Sequence, residues 1–104
     1  LLPSSEGIIA EVESNPNAIG YDGLGYVTEK VKLLAVAGKD SLDYELPSVD
    51  TVNSGKYPIS RDLYMYTNGE PQGVVRDYLS WIQTPEAQQV VRELGFVPIL
   101  MDVN

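Results

Sequence analysis

The sequence contains no cysteine and no histidine. The first absence excludes disulfides and thiol nucleophiles, and the second excludes Ser-His-Asp catalysis. Together they exclude almost every zinc or transition-metal site, because imidazole and thiolate are the usual ligands of these metals. We therefore expect no metal, no cofactor and no enzymatic activity. The lack of cysteine fits any redox compartment.

Long hydrophobic runs are also missing. The longest apolar run, Leu33–Ala37, is far shorter than the ~20 residues needed to span a bilayer. The first residues, Leu1–Pro3, include neither a basic residue nor an initiator methionine, so we predict no signal peptide and expect a fragment or a processed product. With 104 residues, of which 43% are hydrophobic and 21% charged, the composition is that of one soluble globular domain.

Basic residues are scarce in this sequence. Fifteen acidic residues stand against seven basic ones, the net charge is −8, and residues 1–29 contain no lysine or arginine. Nucleic acids and anionic membrane surfaces are bound through clustered basic side chains, so we expect neither as a partner. A small anionic ligand is still compatible with this charge, since backbone N–H groups and hydroxyls can hold it.

Capping residues and apolar periodicity predict four helices. They are a helix from Ser4 or Ser5 to Ser14, one or two turns from Ser48 to Ser54, a helix carrying the apolar face of Val74–Ile82, and one from Thr84 to Leu94. Short apolar runs flanked by turn formers predict three strands, Ala18–Tyr21, Val31–Val36 and Leu63–Thr67. Helices mixed with strands indicate an α/β fold class.

The stretch Lys56–Gly69 divides the chain into two different kinds of sequence. Pro58 fixes its own φ and keeps Tyr57 out of the helical region, so the first half of the stretch is predicted to be an extended connector. The second half is the predicted strand Leu63–Thr67. Aromatic side chains here are expected to be buried between layers, namely Tyr57, Tyr64 and Tyr66.

Three side chains are candidates for ligand binding. Ser4 and Ser5 lie at a predicted helix start, where hydroxyls and free N–H groups suit an anion; the alternative is that they only cap the helix. Arg61 stands alone in its neighbourhood and can face an anion; the alternative is a structural ion pair with Asp62 or another acid.

Two other kinds of site, a pair of catalytic carboxylates and a phosphate loop, have simpler interpretations. Glycoside hydrolysis uses a pair of carboxylates, one of which has a shifted pKa. No carboxylate of this sequence lies in a long apolar run that would shift its pKa, so the acids are interpreted as a solvated surface. A phosphate loop would lie around Gly20, Gly23 and Gly25. These glycines lack the spacing and the lysine of a nucleotide loop and are interpreted as turn residues.

Several motifs occur in an order that is not generic. They are Ser-Glu-Gly-Ile (5–8), Asn-Pro-Asn-Ala-Ile-Gly-Tyr (15–21), Gly-Leu-Gly-Tyr-Val (23–27), Val-Lys-Leu-Leu-Ala-Val (31–36), Thr-Val-Asn-Ser-Gly-Lys-Tyr-Pro-Ile-Ser-Arg (51–61), Leu-Tyr-Met-Tyr-Thr-Asn-Gly (63–69) and Gly-Phe-Val-Pro (95–98). In this order they resemble the C-terminal part of phosphate-binding proteins, the substrate-binding subunits of bacterial phosphate ABC importers. The resemblance covers nearly the whole chain.

The resemblance implies the C-terminal portion of a type II periplasmic-binding-protein-like fold, whose two lobes close on phosphate at a hinge. Residues 1–61 are then part of the second lobe with the hinge connector, and residues 62–104 return to the first lobe. The implied partners are inorganic phosphate in the complete protein and the membrane permease of an ABC importer. The implied location is periplasmic or extracellular, with membrane association through the transporter.

Two positions depart from the family pattern. Asp62 stands where the family usually has proline, and this replacement loosens the connector. Asp22 stands where the family usually has an apolar residue.

The family's main phosphate contacts lie upstream of Leu1, so the resemblance assigns no ligand residue, and the chain alone is expected not to bind phosphate. Sulfate and molybdate binders share the architecture, so the preferred oxyanion stays open. The alternative function is a stand-alone interaction module made from half of such a fold, without ligand binding and self-associating through an uncovered face.

Overall fold

The computed structural model of the protein describes residues 2–99. Its regular elements are short and lie far apart along the chain. They are α1 (Ser5–Ser14), one turn of 3-10 helix (Leu24–Tyr26), α2 (Val49–Asn53), α3 (Gly73–Ile82) and α4 (Pro85–Glu93). The four helices predicted from the sequence are confirmed, with boundaries that agree within one or two residues.

Hydroxyl side chains cap α1, α2 and α4 at their N-termini. The Ser4 hydroxyl accepts the N–H of Gly7 at 3.1 Å. At α2, the Ser48 hydroxyl accepts the Thr51 N–H at 3.1 Å, and the Thr51 hydroxyl accepts the Ser48 N–H at 2.9 Å, which completes a capping box. Thr84 caps α4, whose first residue is proline. Each cap satisfies N–H groups that have no partner within the helix.

Glycines in the left-handed region follow α2 and α4. Gly55 has a φ of 72° and Gly95 a φ of 82°, which other residues rarely adopt. At the end of α4, the Gly95 N–H is donated to the Arg92 carbonyl at 2.9 Å, and the Phe96 N–H to the Val91 carbonyl at 3.1 Å. These two bonds form a Schellman motif, which satisfies carbonyls that the helix leaves without partners.

The three predicted strands are not formed within residues 2–99. Ala18–Tyr21 and Leu63–Thr67 have no regular structure, and Val31–Val36 contributes only one antiparallel bridge, between Val36 and Glu45. A strand needs a neighbouring strand for its backbone N–H and C=O groups, and the described chain supplies no such neighbour beyond that bridge. It therefore consists of helices and loops, and it does not confirm the predicted α/β class.

The segment after α1 packs back onto that helix. Gly20 lies against its apolar stripe, since a Cβ at this position would come within 3.0 Å of Ile8 Cγ2 and 3.2 Å of Val12 Cγ2. A partly exposed ion pair of 3.0 Å between Lys30 Nζ and Glu13 Oε1 links a later turn to the same helix. The predicted strand around Gly20 thus contacts a helix in place of another strand.

The helices α3 and α4 form a hairpin with a very short link. The Trp81 carbonyl accepts both the N–H and the hydroxyl of Thr84, at 2.9 and 2.7 Å. Gln88 of α4 is 4% exposed. Its Nε2 donates to the Ile82 carbonyl at 2.8 Å, and its Oε1 accepts the Ile99 N–H at 2.9 Å. One buried amide therefore holds the end of α3 and the C-terminal segment against α4.

The C-terminal segment, residues 95–99, contacts elements from the first half of the chain. A Cβ on Gly25 would lie 2.6 Å from the Gly95 carbonyl oxygen, so the 3-10 turn and the end of α4 meet backbone to backbone. Asn53 Nδ2, at the end of α2, donates to the Pro98 carbonyl at 3.0 Å. The segment therefore holds the 3-10 turn, α2 and α4 together.

The chain remains open despite these contacts. Its radius of gyration is 16.8 Å, whereas a compact domain of this length has a radius of about 13 Å. Within the described range only Ala87, Gln88 and Pro98 are buried. The chain has no continuous hydrophobic core of its own in residues 2–99, and many large apolar side chains face solvent.

Candidate functional site

The N-terminus of α1 carries two of the three candidate ligand residues. The Ser4 hydroxyl is occupied as the helix cap through the Gly7 N–H. The Ser5 hydroxyl donates to Asp22 Oδ1 at 3.0 Å, and the same carboxylate oxygen accepts the Gly23 N–H at 2.7 Å. Both serine hydroxyls are therefore engaged within the chain.

The electrostatics at this helix start are set by carboxylates. Glu6 lies in the first turn of α1, and the Asp22 carboxylate is bonded to the residue that begins the helix. Negative charge at a helix N-terminus interacts favourably with the helix dipole. The same charge opposes an added anion, because like charges repel at short distance. The arrangement thus stabilises the helix and makes its N-terminus electrostatically unfavourable for an added anion.

The bond between Ser5 and Asp22 is not predictable from the sequence, in which Asp22 stands out only as a departure from the family pattern. The two residues are 17 positions apart, so no local spacing pairs them. Their contact follows from the packing of Gly20 on α1, which brings the next residues beside the helix start. The glycine cluster around residues 20–25 permits this close approach, but by itself it predicts only turns.

Arg61, the third candidate, lies in an exposed stretch without regular structure. The ion pairs found among residues 2–99 are Lys30 with Glu13 and Arg76 with Asp77, and neither involves Arg61. The expected structural ion pair with Asp62 or another acid is therefore not formed in the described chain. No hydrogen bond there joins Arg61 to either serine, so direct contacts do not assemble the three candidates. Their role in ligand binding stays a prediction.

The tyrosines of the central stretch have different environments. Tyr57 is half-buried, and its N–H is donated to the Thr51 carbonyl at 2.9 Å, which fixes the start of the connector to α2. Tyr64 is 70% exposed and Tyr66 is 91% exposed. The expectation that all three are buried between layers is wrong for Tyr64 and Tyr66, because no element in residues 2–99 covers them.

The best-formed clefts on the surface of residues 2–99 are shallow. One, of about 380 Å³, lies between residues 66–72 and Val75. The other, of about 410 Å³, lies between the loop of residues 38–45 and residues 55–58. Both are open to solvent, whereas small-molecule sites usually enclose most of the ligand surface. Neither contains Ser4, Ser5 or Arg61, so neither supports the predicted anion site.

Across residues 2–99, no three acidic side chains are close enough together to hold a metal ion. None of the helices in that range has the length and apolar character needed to cross a membrane.

Comparison with known proteins identifies the family. Residues 4–86, more than half of the chain, match the PBP superfamily domain. The phosphate-binding protein PstS of Pseudomonas aeruginosa is 33% identical over 101 residues, which cover 93% of this chain and 31% of the relative. PstS 2 of Streptococcus pneumoniae is 35% identical over 94 residues, 90% of this chain and 30% of the relative. PstS of Bacillus subtilis is 30% identical over 98 residues, 92% of this chain and 31% of the relative.

The chain spans about a third of the length of these relatives. No solved structure matches it significantly. The resemblance to phosphate-binding proteins, predicted from the order of the motifs, is confirmed by relatives that match nearly the whole chain. The chain belongs to the PBP superfamily.

Proposed function

We propose that this chain is the C-terminal portion of a phosphate-binding protein. Its complete form captures inorganic phosphate in the periplasm or outside the cell and delivers it to the membrane permease of an ABC importer. The observation that carries the proposal is the similarity of 90–93% of the chain to phosphate-binding proteins at 30–35% identity. No catalytic step is part of this function.

Within the complete protein we assign residues 1–61 to the second lobe with the hinge connector and residues 62–104 to the first lobe. Two observations support a connector at this place: the Tyr57 N–H is anchored on α2, and the residues that follow Ser60 have no regular structure until α3. The C-terminal segment contacts Gly25 and Asn53, both on the other side of the boundary. In this assignment residues 95–99 therefore bridge the two lobes.

The isolated chain is proposed not to hold phosphate. The serine hydroxyls at α1 are engaged, carboxylates occupy the start of that helix, and both clefts are open. The net charge of −8 also repels a phosphate anion. The phosphate ligands of the complete protein are then supplied by the part of the fold that this chain does not contain.

The test replaces the aligned third of the Pseudomonas aeruginosa PstS by this chain and titrates the fused protein with phosphate and sulfate by calorimetry. We expect stoichiometric binding of phosphate by the fused protein and no binding heat from the chain alone. A fused protein that folds by circular dichroism but ignores phosphate would contradict the proposal. A preference for sulfate would assign the protein to another oxyanion, and tight binding of phosphate by the chain alone would place the site within these residues.

A stand-alone interaction module is the second candidate function, and the uncovered apolar side chains favour it. Tyr66 is 91% exposed and Val74 is 83% exposed, as expected for a surface that contacts another protein. This function requires that the chain self-associates without phosphate. Light scattering distinguishes the two candidates, since a module forms a defined oligomer whose mass does not depend on phosphate.

A further inference from the structure

The turn between Leu63–Thr67 and α3 contains the dipeptide Asn68-Gly69. Both residues are exposed, and Gly69 has a φ of 82°. Asparagine is one of the thermolabile residues, because the backbone nitrogen of the following residue can attack its side-chain amide. A following glycine favours that attack, since it has no Cβ to hinder the approach and its backbone adopts more conformations than any other residue. Asn68 therefore has the local sequence that makes an asparagine reactive.

The hydrogen bonding of this turn leaves both reacting groups free. Among residues 2–99, the Asn68 side chain makes no hydrogen bond and the Gly69 N–H is donated to no acceptor. The Thr67 hydroxyl donates to the Gly69 carbonyl at 2.7 Å, a bond that engages neither the attacking nitrogen nor the amide. A Cβ on Gly69 would meet nothing within 4 Å, so the turn also has room to change its conformation.

The two asparagines after α1 lack this combination. Asn15 precedes Pro16, whose backbone nitrogen carries no hydrogen and cannot close the ring. Asn17 is exposed like Asn68, but the N–H of the following Ala18 is donated to the Asn15 carbonyl at 2.9 Å. The attacking nitrogen after Asn17 is therefore already engaged, and the Cβ of Ala18 hinders its approach.

Asn53, at the end of α2, is held from both sides. The N–H of the following Ser54 is donated to the Asp50 carbonyl at 2.9 Å, as part of the last helical turn. The Asn53 side-chain amide donates from Nδ2 to the Pro98 carbonyl at 3.0 Å. Attack would have to break both of these bonds first, so the fold protects Asn53.

An Asp-Gly pair could form the same ring by losing water. In this chain the pair is Asp22-Gly23, and its carboxylate oxygen Oδ1 accepts both the Ser5 hydroxyl at 3.0 Å and the Gly23 N–H at 2.7 Å. The negative charge of a carboxylate opposes attack by a nucleophile, whereas the neutral amide of Asn68 does not. Of these positions, Asn68 alone combines a neutral amide, a following glycine and free reacting groups.

We propose that Asn68 is a site of spontaneous deamidation, with water as the co-reactant. The Gly69 nitrogen gives its proton to solvent and forms a bond to Asn68 Cγ. The Cγ–Nδ2 bond breaks, and ammonia leaves after taking up a proton from solvent. Water then adds to either carbonyl of the succinimide ring and opens it to aspartate or isoaspartate. The reaction consumes one water and releases one ammonia, without oxidation or reduction, and it does not depend on phosphate binding.

Deamidation changes both the charge and the main chain at the entry to α3. Either product adds a carboxylate to the cleft of about 380 Å³ that Glu70 also lines, and makes the net charge of −8 more negative by one. Isoaspartate also routes the main chain through the side-chain carbon, which adds a methylene between Thr67 and Gly69. The bond between the Thr67 hydroxyl and the Gly69 carbonyl is then strained or lost.

The experiment incubates the chain in mildly alkaline buffer at physiological temperature and follows each asparagine by peptide mass mapping. We expect Asn68 to convert roughly tenfold or more faster than Asn17 and Asn53, with release of an equal amount of ammonia. An isoaspartate-specific carboxyl methyltransferase should label the product at residue 68. Faster conversion at Asn17 or Asn53, or an unchanged Asn68, would overturn the proposal.

Matched substitutions and a denaturant separate the contributions of sequence and fold. Asn68→Gln should remove most of the early ammonia release, because glutamine closes only a larger and slower ring. Asn17→Gln is the control at another exposed position and should leave the release unchanged. Guanidinium chloride should accelerate conversion of Asn53, whose bonds are lost on unfolding, and leave Asn68 nearly unchanged. Ammonia release retained in Asn68→Gln, or a large acceleration of Asn68 by the denaturant, would show that this turn is not the exposed reactive site.

Discussion

At the scale of single residues, Gln88 shows how one amide can connect three parts of the chain. It is 4% exposed and bonds through both ends of its side chain, to the Ile82 carbonyl and the Ile99 N–H. A buried polar side chain with both bonds made stabilises its surroundings, whereas one lost bond leaves a group without a partner. The C-terminal segment therefore depends on this residue more than on the exposed residues around it.

Gln88→Leu tests that dependence. The substitution removes the acceptor of the Ile99 N–H, a loss of about 1 kcal/mol, so hydrogen exchange at Ile99 should become roughly fivefold faster. Gln89→Leu is the control at the next position, because Gln89 bonds only to the exposed carboxylate of Glu93. Equal acceleration in both variants would show that the buried amide does not hold the segment.

The contact between Gly25 and Gly95 gives a second expectation at this scale. A Cβ on residue 25 would lie 2.6 Å from the Gly95 carbonyl oxygen, a clash with backbone that cannot turn away. We expect Gly25→Ala to cost about 1–3 kcal/mol of local stability and to accelerate exchange at the Phe96 amide. Gly38→Ala, where a Cβ meets nothing within 4 Å, should leave that amide unchanged. An unchanged Phe96 amide in Gly25→Ala would mean that the two backbones do not touch in solution.

At the scale of elements, the sequence predicts helices well and strands poorly, for a physical reason. The caps Ser4 and Thr84 and the left-handed Gly95 act within their own helices, so neighbouring residues suffice to recognise them. A predicted strand such as Leu63–Thr67 forms only with a partner that local sequence does not reveal. The same limit applied to the candidate site, since nothing near Ser5 in the sequence indicated its bond to Asp22.

The role of Ser4 can be tested at the start of α1. Ser4→Ala removes the cap and should destabilise the helix by about 1 kcal/mol, whereas Ser4→Asp keeps a capping oxygen and should preserve it. Helix content is measured by circular dichroism and phosphate affinity by calorimetry in the fused protein. If Ser4 only caps the helix, Ser4→Asp retains full affinity. If Ser4 instead contacts phosphate, the added carboxylate should abolish binding while the helix persists.

At the scale of the whole molecule, the helices are well specified locally but have little to pack against. Family membership, exposed area and radius of gyration are mutually consistent: a chain matching about a third of its relatives exposes surfaces that a complete domain would cover. Stability in small domains comes mainly from apolar burial, and Ala87 and Pro98 are the only apolar residues that are buried within residues 2–99. Local propensity and a few hydrogen bonds must then hold the chain.

The lack of a shared apolar core leads to an expectation for thermal unfolding. A cooperative domain of this size absorbs about 60–80 kcal/mol at its midpoint. Without a shared core, the helices of the isolated chain should melt gradually, with no such heat-absorption peak, and an apolar dye should bind before heating. The fused protein is the control and should melt in one sharp transition, because the rest of its domain covers apolar side chains that the chain alone exposes. A sharp transition with full enthalpy from the monomeric chain alone would contradict this expectation, since it requires a core within these residues. Scanning calorimetry with light scattering on the same sample separates that result from a transition created by self-association.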